Sequence, residues 1–283
     1  MLNYVANQWR SDEESLINIK EVAPAMGQIA YEVLRTYNKL PFALKKHYER
    51  LKKTLAFFSM EPSMSFEKLV ELINKGIESN SENNVDEFRI KIVQFPSKKE
   101  SMCLLFEKLE TSVLRDIYEL GVRVSLSPYL KPSGDIIPPV VKVYGSPWIT
   151  LTKKYMGDNY DLLLLNEKGN VTEGSYTNVF IVKNEKLITP SIESGVLPGV
   201  TRENILSLAR AMDIPVEERE VNSWELFTAD ELFLSHTSMG LVPIRKIEDR
   251  VLIEDFTDGL TRILLDNFEG YVMTRDENWE GIQ

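Results

Sequence analysis

The sequence predicts an α/β protein of two domains, and three observations support this prediction. The length of 283 residues suggests two compact units at about 150 residues per domain. Segments with strand-type patterns alternate with segments of helical periodicity. A stretch rich in Pro, Ser and Gly at 127–135 separates the two halves. We therefore expect an N-terminal α/β domain at 1–125, a linker at 126–137 and a C-terminal α/β domain at 138–283.

The N-terminal half predicts two β-hairpins, two helices and two further strands. The hairpins turn at Ala6-Asn7 and at Asn38-Lys39, each between short segments rich in β-branched and aromatic residues. One helix begins near His47 and ends before Pro62, and a second begins at Ser65 with an apolar face at helical spacing. The remaining strands are predicted at 88–93 and 102–106.

The C-terminal half predicts a strand at 136–144, a helix at 148–156 and then a series of strands. The segment 162–165 pairs with a strand that begins at Val171, and 178–182 forms a hairpin with 186–189. An amphipathic helix follows at 201–212, and the chain returns to a strand at 231–235.

Composition excludes several classes of protein. Hydrophobic residues make up 43% and charged residues 27%, and each apolar run is shorter than the roughly 18 residues of a membrane span. The net charge of −10 argues against a nucleic-acid partner, which requires a basic face. The one cysteine, Cys103, lies in an apolar run, and the N-terminus lacks the features of a secretory signal. We expect a cytoplasmic protein without a membrane or nucleic-acid partner.

Several familiar sites are missing from the sequence. It contains no Gly-x-Gly-x-x-Gly, no Walker loop and no Cys-x-x-Cys, and its only histidines are His47 and His236. A serine–histidine triad would need His236, but the Gly-x-Ser-x-Gly elbow is missing too. We expect no metal site.

Four other segments could carry chemistry, and each also has an ordinary structural interpretation. Lys142 stands in the apolar run 138–144, either facing water or desolvated, and desolvation favours the neutral amine that Schiff-base chemistry requires. Glu173 is the one carboxylate in 171–180. It could act at a site, or it could be only an exposed side chain on an edge strand. The Gly/Pro turn at 195–199 runs into a helix and could bind phosphate, or could only cap the helix. The loop at 236–240 follows a strand end, where ligand loops and plain turns both occur.

In this order, and with His-Tyr-Glu-Arg-Leu at 47–51 upstream, these segments resemble the class IV aminotransferases, which are pyridoxal-phosphate enzymes. The family includes branched-chain aminotransferases, D-amino acid aminotransferases and aminodeoxychorismate lyases. The resemblance covers the chain from Tyr31 to about Arg245. It implies fold type IV, with a smaller N-terminal α/β domain and a larger C-terminal pseudo-barrel domain. It also implies bound pyridoxal 5′-phosphate and a homodimer.

The resemblance implies a role for each matching residue. Lys142 matches the lysine that holds the cofactor as a Schiff base and moves the substrate proton, and Glu173 matches the carboxylate facing the pyridine nitrogen. The other matching positions contact the cofactor phosphate (Arg50, Val200, Thr201 and Thr237), the cofactor ring (Leu197) and the substrate (Tyr31, Ser238 and Met239). The segment after Lys142 departs from the family pattern, which leaves Lys153 as an alternative anchor.

The implied function is the transfer of an amino group from an amino acid to a 2-oxo acid. The apolar pocket residues Tyr31, Trp148 and Met239 favour branched-chain or other hydrophobic L-amino acids, as does the lack of the Arg-x-His pair expected in D-amino acid enzymes. The alternatives are a D-amino acid aminotransferase, an aminodeoxychorismate lyase and, outside this class, a binding module that has lost catalysis.

Overall fold

The computed structural model describes residues 1–15, 27–81, 87–96, 101–253 and 258–282. By its contacts the chain forms two compact units. The first comprises Met1–Thr111, Val141–Gly145 and Met273–Gln283, and the second comprises Ser112–Val140 and Ser146–Val272. The segment expected as a linker, 126–137, lies within the second unit. Lys142, expected in the C-terminal domain, belongs to the first unit.

The first unit contains a six-stranded antiparallel sheet in the order β2-β1-β6-β5-β3-β4. Both predicted hairpins are confirmed, and their turn residues have positive φ angles, as the tight hairpin turns require. The strands are β1 (Leu2–Val5), β2 (Gln8–Ser11), β3 (Ala30–Tyr37), β4 (Leu40–Pro41), β5 (Phe88–Gln94) and β6 (Met102–Lys108).

Two helices pack against this sheet, as the sequence predicts: α1 (Leu44–Phe57) and α2 (Phe66–Asn80). Ser65 caps α2, because its hydroxyl accepts the N–H of Lys68 at 3.3 Å. Gly76 allows the close approach of α2 to the sheet, since a Cβ there would stand 2.1 Å from Phe106.

The second unit contains a nine-stranded mixed sheet in the order β12-β11-β10-β13-β14-β7-β8-β9, with β15 paired to β14. Its strands are β7 (Val122–Leu130), β8 (Asp161–Leu165), β9 (Val171–Gly174), β10 (Asn178–Lys183), β11 (Lys186–Pro190), β12 (Val216–Arg219), β13 (Glu231–His236), β14 (Gly240–Ile247) and β15 (Arg250–Val251). Further helices of the chain are α3 (Thr111–Leu120), α4 (Pro147–Lys153), α5 (Val200–Ala211), α6 (Ser223–Thr228) and α7 (Leu260–Met273), and 3₁₀ turns occur at Ile192–Ser194 and Asp276–Asn278.

The predicted elements of the second unit are confirmed in part. The pairs β8–β9 and β10–β11, the strand β13 and the helices α4 and α5 lie where the sequence predicts them. The strand predicted at 136–144 is wrong, because this stretch forms turns in which Pro138 and Pro139 have no N–H to donate. The expected linker begins as strand, since β7 continues to Leu130. The described helices include none that is long and apolar enough to cross a membrane.

Candidate active site

Lys142 lies in an irregular segment of the first unit whose main chain is fixed by neighbouring elements. Its N–H donates to the Oγ1 of Thr54 on α1 at 3.2 Å, and its carbonyl accepts the N–H of Tyr31 on β3 at 3.1 Å. The N–H of Tyr144 donates to the carbonyl of Ile29 at 2.9 Å. The backbone of Lys142 is therefore held by β3 and α1 although it belongs to no regular element.

Aromatic rings line the side chain of Lys142. Its Nζ is 4.9 Å from the ring centroid of Tyr31, and the rings of Tyr31 and Tyr144 stack at 4.1 Å. Burial raises the pKa of Tyr144 to about 12, so its hydroxyl keeps its proton. Lys153, the alternative anchor, is exposed at the end of α4, with its Nζ 5.4 Å from the centroid of Tyr176. The half-buried Lys142 suits the chemistry of a desolvated amine better than Lys153 does.

A buried carboxylate, Glu32 on β3, joins two residues of α1. Glu32 accepts hydrogen bonds from Arg50 Nε and Nη2, both at 2.6 Å, and its Oε2 is 2.9 Å from His47 Nδ1. Burial opposes the ionisation of Glu32, but the Arg50 charge and the hydrogen bonds outweigh it and hold the pKa of this carboxyl well below its usual range. The two parallel hydrogen bonds fix the guanidinium of Arg50 in one orientation.

His47 completes this buried group. An ionised carboxylate can only accept, so Nδ1 of His47 carries the proton and donates to Glu32. Burial lowers the pKa of His47, against the effect of Glu32, so the ring is neutral at neutral pH. Its Nε2 is buried and meets no hydrogen-bond partner among the described residues.

This group predicts that acid destabilises the protein in two stages. The unfolded chain binds a proton at His47 near pH 6.5, while the folded chain resists it, so the free energy of unfolding falls as the pH drops through that value. The depressed pKa of Glu32 adds a second loss below about pH 4.5, where the unfolded carboxyl takes up a proton. Urea unfolding at a series of pH values would measure both losses.

The matched comparison is His47→Gln, which removes the first titration and leaves His236, the other histidine, in place. The difference in unfolding free energy between wild type and variant should shrink as the pH falls from 7 to 5. A difference that does not change with pH would contradict the assignment.

In the second unit, Glu173 on β9 is held by three donors. Its Oε2 accepts from Asn178 Nδ2 at 3.0 Å and from the N–H of Leu197 at 2.9 Å, and its Oε1 is paired with Lys131 Nζ. Asn178 also donates to the carbonyl of Leu197 at 3.1 Å. Two of the residues that the sequence singled out, Glu173 and Leu197, are therefore in direct contact.

A second carboxylate, Asp161 at the start of β8, shapes the turn that follows Glu173. It accepts the N–H of Ser175 at 2.9 Å, the N–H of Tyr176 at 3.2 Å and the hydroxyl of Thr177 at 2.7 Å. Burial raises its pKa in spite of these hydrogen bonds. Asp161 thus fixes the loop between β9 and β10, which carry Glu173 and Asn178.

The N-terminus of α5 offers donors that the described protein does not use. Gly199 precedes the helix without a side-chain cap, and Val200 and Thr201 form its first turn. The Oγ1 of Thr201 is buried and has no hydrogen-bond partner among the described residues. Free N–H groups, a buried hydroxyl and the helix dipole together suit an anionic group such as a phosphate.

Gly199 lies close to Asn178, which donates to Glu173. A Cβ at residue 199 would stand 2.0 Å from Asn178 Oδ1. We expect Gly199→Ala to displace Asn178 and to lower the free energy of unfolding by about 1–3 kcal/mol through overpacking. Urea unfolding measures this loss. Gly270→Ala is the control, since a Cβ at that exposed position on α7 meets nothing within 4 Å. Equal stability of the two variants would contradict the predicted clash.

The turn between β13 and β14 carries Thr237, Ser238 and Met239 and is held by two tyrosines, Tyr118 on α3 and Tyr160 directly before β8. The hydroxyl of Tyr118 donates to the carbonyl of Met239 at 2.5 Å. The Oη of Tyr160 is 2.7 Å from His236 Nε2, and burial raises the pKa of Tyr160, so the phenol keeps its proton and donates. The turn is therefore held at both ends.

The structure places the predicted residues in two sets, one in each unit. The first set contains Tyr31, Arg50 and Lys142, and the second contains Glu173, Leu197, Val200, Thr201, Thr237, Ser238 and Met239. The sequence patterns do not single out Glu32, Lys131 or Asp161 as site residues. A charged residue at the middle or edge of an apolar strand was the available signal for Glu32 and Asp161. Within the described ranges, no group of three or more His, Cys, Asp and Glu residues could hold a metal ion.

Comparison with known proteins gives matches over the whole chain. The family described as "Amino-transferase class IV" matches residues 29–247. A Thermotoga maritima protein described as a "probable branched-chain-amino-acid aminotransferase" is 40% identical over 282 residues, covering 100% of both chains. A D-alanine aminotransferase of Staphylococcus epidermidis is 25% identical, over 96% of this chain and 98% of that protein.

Solved structures agree with these matches. A crystal structure of a candidate branched-chain amino acid aminotransferase from Thermotoga maritima superposes with a TM-score of 0.92 at 39% identity, over 99% of each chain. A branched-chain amino acid aminotransferase from Thermobaculum terrenum in its PLP-form superposes with a TM-score of 0.83 at 24% identity, over 97% of this chain and 94% of that one. At 24% identity, the similarity to the Thermobaculum terrenum structure is evidence for the fold alone. The predicted α/β fold class is confirmed.

Proposed function

Since this chain belongs to the class IV aminotransferase family, we propose that it moves the amino group of a branched-chain or other hydrophobic L-amino acid to a 2-oxo acid, using pyridoxal 5′-phosphate. One observation carries the proposal: the matched range 29–247 contains Arg50, Lys142, Glu173 and Thr201, the residues to which the motif resemblance assigns the cofactor contacts. The name of the 40% identical relative supports the branched-chain substrate.

The residues present fit the cofactor. The buried, unpartnered hydroxyl of Thr201 and the free amides of the first turn of α5 suit its phosphate, a role that the motif resemblance also assigns to Thr237 and Arg50. Leu197 supplies an apolar side chain for the ring. When bound, the cofactor provides an electron sink for the negative charge that develops at the substrate Cα.

The protein contributes a base, a counter-ion and a substrate surface. Lys142 would hold the cofactor covalently and move the proton at the substrate Cα. Glu173, fixed by Asn178 and the N–H of Leu197, would keep a proton on the ring nitrogen. The motif resemblance assigns the substrate contacts to Tyr31, Ser238 and Met239.

The proposal is tested by following the visible absorbance of the protein after incubation with pyridoxal phosphate. We expect a band that L-leucine removes, with release of the matching 2-oxo acid. Loss of the band with D-alanine but not with L-leucine would favour the D-amino acid alternative, which the Staphylococcus relative supports. Release of pyruvate from aminodeoxychorismate would indicate the lyase, and no binding of the cofactor would indicate a binding module.

A homodimer is also part of the proposal. In the second unit, α4 packs against β7, and the ring of Tyr155 contacts the ring of Tyr129 on β7. Exposed large apolar side chains of this unit suit a second copy of the chain and include Leu130, Ile136, Leu151, Tyr155 and Tyr176. Light scattering on a sizing column should give twice the chain mass of 32.5 kDa. A mass of one chain would contradict the dimer.

The proposed location is the cytoplasm. Cys103 is buried and forms no disulfide, and burial raises the pKa of its thiol. A thiol of this kind is unreactive and suits a reducing compartment. Fractionation of the source cells would test the location.

A further inference from the structure

Lys131 is a buried lysine to which sequence analysis assigned no role. It directly follows β7, where its N–H donates to the carbonyl of Leu165 on β8 at 2.9 Å. It is only 9% exposed. Because β8 lies between β7 and β9, and neighbouring strands are about 4.8 Å apart, its side chain crosses one strand to reach Glu173 on β9. A long side chain is needed at this position.

The charge of Lys131 is paired with Glu173. A lysine so deeply buried requires an anionic partner, since an unpaired ammonium group in the interior is strongly unfavourable. Its Nζ forms an ion pair with Glu173 Oε1, and both side chains are largely removed from water, at 9% and 12% exposure. Water and dissolved salt therefore screen the attraction between Lys131 and Glu173 only weakly.

The donors around Glu173 leave one acceptor position open. A carboxylate offers about four acceptor positions, two on each oxygen. Asn178 and the N–H of Leu197 occupy both positions on Oε2, and Lys131 occupies one on Oε1. Within the described part of the chain, the remaining position is on Oε1. A further donor at Glu173 must therefore share Oε1 with the ammonium group of Lys131.

We propose that Lys131 is a positioning residue for the cofactor: it fixes Oε1 of Glu173 and makes protonation of the cofactor ring nitrogen less favourable than an unpaired carboxylate would. This inference rests on the proposed function, because it assigns the open position of Glu173 to that ring nitrogen. Lys131 acts through Glu173 and contacts neither substrate nor reacting atoms. Its effect should appear as a shift in the titration of the bound cofactor.

The first test is the pH titration of the cofactor ring nitrogen, followed by its ¹⁵N chemical shift in protein loaded with ¹⁵N-labelled pyridoxal phosphate, in Lys131→Met, Lys131→Arg and a control, Lys168→Met. Lys168 is an exposed lysine of the same unit and pairs with Glu220 at the surface. Removing the buried positive charge should move the titration midpoint upward by about one pH unit. Lys131→Arg should restore the wild-type midpoint, and Lys168→Met should not change it. Lys131→Gln, with the same expected shift, replaces Lys131→Met if circular dichroism shows that the latter does not fold.

A double-mutant cycle separates positioning from a direct effect on the cofactor. In a Glu173→Gln background, Lys131→Met should no longer move the midpoint. A shift of the same size in that background would overturn the positioning role. An unchanged midpoint in Lys131→Met, with a wild type that binds pyridoxal phosphate and responds to L-leucine, would overturn this inference alone. A wild type that binds no pyridoxal phosphate would overturn the proposed function and this inference together.

Discussion

Replacing Lys142 by alanine is expected to remove the visible absorbance band of the cofactor and to lower turnover by at least about 10²–10⁴-fold, the usual contribution of a positioned base. The loss follows from the chemistry, since alanine can neither attach the cofactor nor move a proton. Folding should persist, because the main-chain hydrogen bonds of residue 142 to Tyr31 and Thr54 do not need its side chain. Absorbance spectra and a transamination assay measure the effect, and circular dichroism checks the fold.

Lys153→Ala is the matched control. Lys153 is exposed on α4, and its substitution should leave both the spectrum and turnover at the wild-type level. The reverse pattern, with a lost band in Lys153→Ala and a normal band in Lys142→Ala, would show that the cofactor is attached to Lys153.

Replacing Glu32 by glutamine is expected to destabilise the protein by about 3 kcal/mol, the lower end of the range for breaking a buried ion pair. The new side chain has the same shape but no charge, so the guanidinium of Arg50 loses its buried anionic partner. The orientation of Arg50 should be lost as well, which would weaken the binding of pyridoxal phosphate. Urea unfolding and a cofactor titration measure the two effects.

Glu49→Gln is the control on α1, since Glu49 pairs with Lys52 at the surface. Its effect on the free energy of unfolding should stay within about 0.5 kcal/mol. If Glu32→Gln were as stable as Glu49→Gln, the buried group would not hold the first unit together as described.

The elements that the sequence predicts correctly are those with strong local signals. Asn38-Lys39 marks a tight turn between two strands, and Ser65 marks the start of a helix with an apolar stripe. These signals need only neighbouring residues, because turn chemistry, capping and periodicity are local properties.

The failed prediction at 136–144 shows the limit of local patterns. A run of Ile and Val is typical of a strand, but Pro138 and Pro139 cannot donate to a sheet. The main chain of Lys142 is held by Thr54 and Tyr31, which are about 90 and 110 residues away in the sequence. No pattern within the segment could reveal those partners.

The candidate site was predictable where a family motif exists and not where the support comes from distant residues. Arg50, Glu173 and Thr201 stand in recognisable motifs, and their roles remain predictions. Glu32 is marked only as a charged residue within an apolar strand, and Lys131 is marked by no pattern, because their partners Arg50 and Glu173 lie 18 and 42 residues further along the chain. Only the folded structure shows that these charges are paired.

The measurement that tests the account most directly is reductive trapping of the cofactor. Wild-type protein is incubated with pyridoxal phosphate, reduced with borohydride, digested and analysed by mass spectrometry for the lysine that carries the cofactor. We expect the modification at Lys142, with none at Lys131 or Lys153. Modification at one of those two lysines, or at none, would contradict the central claim that this chain is a pyridoxal-phosphate enzyme built around Lys142.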